Sequence, residues 1–140
     1  MGVLARAGRD ELEMFWDGLA DKPRHTWLRP PEAGLIMVRG RAGGTGSRFN
    51  LGEMTVTRCV LRLEDGTAGH ANVQGRDKRR AELAALFDAL LQQPARHDEI
   101  ALSVLAPLKA RQARTREQAA RKAAATKVEF FTLVRGDNPV

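Results

Sequence analysis

The residues with the most chemical promise lie between Phe49 and Asp77. The first segment reads Phe49-Asn50-Leu51-Gly52-Glu53-Met54-Thr55-Val56-Thr57-Arg58, and the second Gly69-His70-Ala71-Asn72-Val73-Gln74-Gly75-Arg76-Asp77. An imidazole set among Thr, Asn and Gln side chains can donate a proton or bind an anion near neutral pH. Arginine forks match the oxygens of phosphates and phosphonates. Arg58, His70 and Arg76 are therefore the candidate anion or interface site. Taken singly, each has a plainer reading: a hydrogen-bonded, half-buried histidine and solvated edge arginines are the commoner cases. Arg58 differs, because it interrupts the apolar set Met54, Val56 and Val60 and needs a partner anion or an edge position. Thr57 and Ser47 have no base near them in sequence, so no Ser/His/Asp triad is assigned.

These residues are positioned by a hairpin. Asp65-Gly66 flanked by alternating residues predicts a two-residue type I′ turn, in which both central residues take positive φ. That turn sets Leu61 opposite His70, Cys59 opposite Asn72 and Thr57 opposite Gln74. One face then carries Thr55, Thr57, His70, Asn72 and Gln74, and the other Met54, Val56, Val60, Ala71 and Val73. The first face is polar where a purely structural strand would place Val or Ile.

Around the hairpin the sequence predicts an α+β fold with a mainly antiparallel sheet of about four strands. One N-terminal helix precedes the sheet, from Asp10 as cap to Ala20, with Leu12, Phe15, Trp16 and Leu19 on one side. Thr26 to Arg29 is a short extended piece stopped by Pro30-Pro31, and Gly34 to Ala42 is a strand. The Gly40-Arg41-Ala42-Gly43-Gly44-Thr45-Gly46 segment could offer backbone N–H groups to a phosphate, but it is not a P-loop, since no Gly-Lys-Ser/Thr closes it, and a mobile connection between strands is the favoured reading. Asp77 caps a helix whose wide apolar stripe, including Leu83, Leu86, Phe87 and Leu90, packs on the sheet. Asp98 caps the next helix, which Pro107 kinks or restarts. A long Ala/Arg-rich helix follows, and Val128 to Val134 reads as a final strand.

The chain has 140 residues, enough for one domain with an appendage, and a net charge of +6. That excess sits in one segment, where Lys109, Arg111, Arg114, Arg116, Arg121, Lys122 and Lys127 face only Glu117. Residues 1–106 are predicted to be the α+β core, and 107–140 a basic helical arm with a terminal strand facing a partner. Ala113, Ala120 and Ala124 on that arm, with Phe130 and Phe131, are the expected subunit interface. The strand either returns to its own sheet or is exchanged between chains, which would make a homo-oligomer. The arm lacks interleaved aromatics, which argues against nucleic acid, although a basic scaffolding or nucleic-acid-binding module is the alternative reading. Cys59 is the only cysteine, and no His pair has metal-ligand spacing, so no metal and no cofactor is held by this chain alone. No signal-peptide h-region or membrane-length apolar run is present, so the expected location is cytoplasmic.

The two hairpin segments, with Ala81-Glu82 and Phe130-Phe131-Thr132-Leu133-Val134-Arg135-Gly136, resemble the PhnG family. Members of that family are small subunits of the bacterial carbon–phosphorus lyase core complex, and the likeness spans about Leu12 to Gly136. Asn72 departs from a family position that is commonly aromatic. The resemblance implies a non-autonomous subunit that helps to transfer an alkylphosphonate to the ribose of ATP with loss of adenine. ATP and the phosphonate are then substrates of the complex. The implied partners are the other core subunits, above all a large nucleosidase-like subunit carrying the main catalytic groups.

Overall fold

The hairpin is present, with one more residue in its turn than Asp65-Gly66 predicts. In the computed structural model, which describes residues 1–128, the loop is Glu64-Asp65-Gly66. Leu63 donates its N–H to the carbonyl of Thr67 at 2.8 Å, and Gly66 donates back to Leu63 at 3.0 Å. Only Gly66 needs positive φ, at 89°. The Asp65 carboxylate accepts both the N–H and the hydroxyl of Thr67, each at 2.9 Å. This local bonding stabilises the longer turn with Asp65 in ordinary backbone space.

The added residue slips the register by one. Strands β2 (Arg48–Leu63) and β3 (Ala68–Gln74) pair Leu61 with Gly69, Val60 with His70 and Arg58 with Asn72. A one-residue slip moves every side chain of one strand to the other face relative to its partner. Thr57, Cys59 and Leu61 therefore lie with Ala71 and Val73 on the buried face, while Val56, Arg58 and Val60 join His70, Asn72 and Gln74 on the other. The predicted grouping of Thr55 and Thr57 with His70 is corrected accordingly.

Strand β1 (His25–Arg41) pairs antiparallel with β2 and makes the sheet order β1-β2-β3. The expected break at Pro30-Pro31 does not occur. Register shifts at Trp27/Arg29 and Arg29/Glu32 carry the prolines past the ladder, and an edge strand tolerates residues without an N–H. Two predicted strands thus merge into one, and the described sheet has three strands. The predicted strand Val128 to Val134 lies outside the described residues beyond Val128.

One face of the sheet is covered by α3 (Lys78–Gln92), in which Ala81 and every residue from Leu83 to Leu90 are buried. Asp77 caps it as predicted, accepting the Arg80 N–H at 3.0 Å. Two helices, not one, precede the sheet: α1 (Gly2–Arg6) and α2 (Arg9–Asp17). The cap of α2 is Gly8 rather than Asp10, with the Glu11 carboxylate accepting the Gly8 N–H at 2.8 Å. Arg80 fastens α1 by donating to the carbonyls of Ala7 at 2.7 Å and Ala5 at 2.6 Å. Leu4 and Leu12 are fully buried, and Trp16 meets Phe87 edge-on at 6.1 Å.

After α3 the chain turns at Gln93 into α4 (Pro94–Ile100), so the cap is Gln93 and not Asp98. Pro94 at the start of a helix costs no hydrogen bond. Ala101–Leu105 form a π turn, and α5 (Ala106–Ala125) follows without a break at Pro107. The wider turn gives the proline ring room against the preceding carbonyls, in place of the expected kink. Ile100, Val104 and Leu108 face the core from this stretch. Residues 1–108 form one compact unit and the chain from Lys109 onward a second. In the second, every residue from Lys109 to Val128 except Gln112 is exposed.

Candidate functional site

Cross-strand pairing lays the polar residues of the uncovered face out in rows. Arg29, Val60 and His70 form one row, and Glu32, Arg58 and Asn72 the next. His70 and Arg58 are thus diagonal neighbours, within reach of long side chains. Val56 is flanked by Gly34 and Gln74 in the row beyond.

His70 is anchored from the helix side. Its backbone N–H, on the outer edge of β3, donates to Asp88 Oδ2 at 3.1 Å, and its ring Nδ1 lies 3.4 Å from the same oxygen. Gln92 Nε2 adds a third contact to that oxygen at 3.2 Å. The imidazole remains 60% exposed, while the Asp88 side chain is 12% exposed. A shielded carboxylate beside one nitrogen of a largely exposed ring is an arrangement suited to proton transfer or anion contact. Sequence reasoning missed Asp88. Its signal was a charged residue inside the apolar run Leu86-Phe87-Asp88-Ala89-Leu90, where burial demands a partner.

Arg58 has the partner anion that its position requires. Its Nε donates to Glu32 Oε1 at 3.2 Å, and Arg29 holds the same oxygen. The Arg58 hydrogen bond is the main cause that keeps the Glu32 carboxyl below its ordinary range, with Arg29 adding to it. The guanidinium lies over Gly34, where a Cβ would meet it at the ordinary contact distance of 3.7 Å. Arg58 is therefore partly neutralised, and Arg29 shares that neutralisation.

Arg76 does not join the other two. It is exposed beyond the end of β3 and lines a shallow cleft of about 260 Å³ with Ala33, Gly34, Leu35 and Thr55. Thr57, expected beside His70, is fully buried and donates to the carbonyl of Gly75 at 2.7 Å. At the hairpin end a larger cleft of about 460 Å³ is lined by Arg24, His25, Thr26 and Arg62 among others. The described residues contain no cluster of three or more His, Cys, Asp or Glu side chains suited to a metal ion. Burial, with the Glu82 charge adding to it, raises the Cys59 thiol to about 11, so it is no nucleophile at neutral pH. Ala113, Ala120 and Ala124 are exposed on α5, and Phe130 and Phe131 lie outside the described residues. No helix among the described residues is long and apolar enough to cross a membrane.

Fold and site together define a small α+β protein whose ionisable groups lie on an open sheet face rather than in an enclosed pocket. The chain belongs to the family described as phosphonate metabolism protein PhnG, whose model matches residues 1–136. It is 48% identical over 141 aligned residues to the alpha-D-ribose 1-methylphosphonate 5-triphosphate synthase subunit PhnG of Rhizobium meliloti (strain 1021). That alignment covers 99% of this chain and 88% of the relative.

Proposed function

We propose that this chain is a subunit of an alpha-D-ribose 1-methylphosphonate 5-triphosphate synthase within a carbon–phosphorus lyase complex, inactive without its partners. The observation that carries the reading is the 48% identity to a synthase subunit, across 99% of this chain. In the proposed reaction a phosphonate oxygen attacks C1′ of the ATP ribose. The C1′–O bond forms, the C1′–N9 bond breaks, and adenine leaves with a proton. The product keeps the 5′-triphosphate. Site geometry agrees with a supporting part: a solvent-facing imidazole and an arginine already paired with Glu32 suit an interface or anion contact. ATP as substrate fits a cytoplasmic location.

The partner in this reading is the large nucleosidase-like subunit, with the basic arm and Ala113, Ala120 and Ala124 turned toward a neighbouring chain. The described part of the arm, exposed at almost every residue from Lys109 to Val128, has little to stabilise it alone, since isolated helices are marginal in water. Exchange of the segment beyond Val128 between two copies is the proposed route to a homo-oligomer. The test is co-expression with the large subunit, followed by an assay of adenine released from ATP and methylphosphonate. Release is expected only when both chains are present. Full activity of either chain alone would overturn the reading, and the mass of the purified complex reports whether one or two copies of this chain enter it.

A further inference from the structure

Beyond β3 the sheet narrows to two strands. Gln74 pairs with Val56 and the Gly75 N–H donates to the Thr55 carbonyl at 2.9 Å, so among the described residues β2 from Met54 back to Arg48 has β1 as its only neighbour, through Ile36↔Met54 to Arg41↔Arg48. This ribbon is apolar on both faces. Leu35 and Met37 point to one side, at 60% and 54% exposure, and Ile36 to the other. Phe49 and Leu51 are exposed on the facing strand. Two strands alone are marginal in water, and a cluster of large exposed apolar side chains marks an interaction surface. The ribbon is also cationic: from Ala33 to Thr55 there are Arg39, Arg41 and Arg48 against one acidic residue, Glu53, which lies across from Met37. None of these three arginines has an ion-pair partner among the described residues.

Resting on the subunit reading above, we infer that this ribbon is a plug seated in a cleft of a different polypeptide of the synthase. That cleft has apolar walls against both ribbon faces and carboxylates where Arg39, Arg41 and Arg48 arrive. A second copy of this chain fits less well. Edge-to-edge pairing of two ribbons would leave both faces bare, and stacking would cover one face only.

The test uses the full chain and its partner subunits, co-expressed and purified. One variant is Leu35→Asn with Met37→Asn, a second is Arg41→Glu with Arg48→Glu, and a control is Leu102→Asn, exposed at 75% outside the ribbon. All changed side chains are exposed, and an unaltered thermal midpoint of each free chain confirms that its body still folds. Both ribbon variants are expected to bind the partner about tenfold or more weakly, and the control to bind like the parent. Hydrogen exchange of residues 34–54 is expected to slow on complex formation. A parent complex that forms and releases adenine, yet tolerates both ribbon variants, overturns the plug while sparing the subunit reading. Failure of the parent chain to form any complex overturns both. Ribbon variants that alter only self-association of the free chain make the occupant a second copy and also overturn the inference.

Discussion

Gly69 is where helix and sheet come closest. A Cβ at this position would lie 2.1 Å from the Ala85 carbonyl oxygen and 2.8 Å from Ala89, and the oxygen is backbone that cannot step aside. Gly69→Ala is therefore expected to cost about 3 kcal/mol, the upper end for overpacking, measured by urea denaturation. A weaker loss would mean that α3 shifts on the sheet, which the exposure of Cys59 would report. At this scale Arg58 was readable from sequence: an arginine interrupting an apolar set must have an anion, and Glu32 supplies it. Glu32 itself was not readable, since it lies on another strand, directly after the Pro30-Pro31 at which the sequence predicts a break. Asp88 was missed because its three contacts come from another strand and from one turn along its own helix.

At the scale of elements, α3 was the most legible. Its apolar positions, its Asp77 cap and its end before Pro94 are all local signals. Asp77→Ala is expected to lower stability by about 1 kcal/mol through loss of the Arg80 N–H contact, and Asp77→Asn to restore most of it. Thermal melts of the two variants read the difference. The hairpin was legible in existence but not in parity. Whether Asp-Gly closes a two- or three-residue loop rests on a side-chain bond from Thr67 to Asp65, which alternation alone does not disclose. One residue was enough to move Thr57 from beside His70 into the core. The ribbon went unseen for a related reason: Leu35, Ile36 and Met37 look like a core strand in sequence, yet they lie past the end of β3 and are exposed.

For the molecule as a whole, acid is the informative perturbation. The Glu13 carboxyl sits below its ordinary value of 4.5, chiefly through its hydrogen bond to Arg79, which ties α2 to α3. Asp65 sits below 3.8, chiefly through the Thr67 N–H. A carboxyl lowered in the folded state contributes stability in full above its unfolded value and loses it as pH falls through the folded one. The thermal midpoint is therefore expected to hold near neutral pH and to decline below about pH 4.5. Glu13→Gln should flatten that decline, and an unchanged slope would assign it to other groups. The sequence was legible here in its charge distribution and in the resemblance of its motifs. It was not legible in which surfaces stay bare, because that depends on where the strands stop.

The single thiol provides a built-in clock for such experiments. Cys59 is sealed beneath α3 at 1% exposure, and burial also keeps it protonated. A maleimide or disulfide reagent can reach it only when the helix lifts from the strands. Labelling rates would thus time that opening in the free chain and in the assembled enzyme, without any engineered probe.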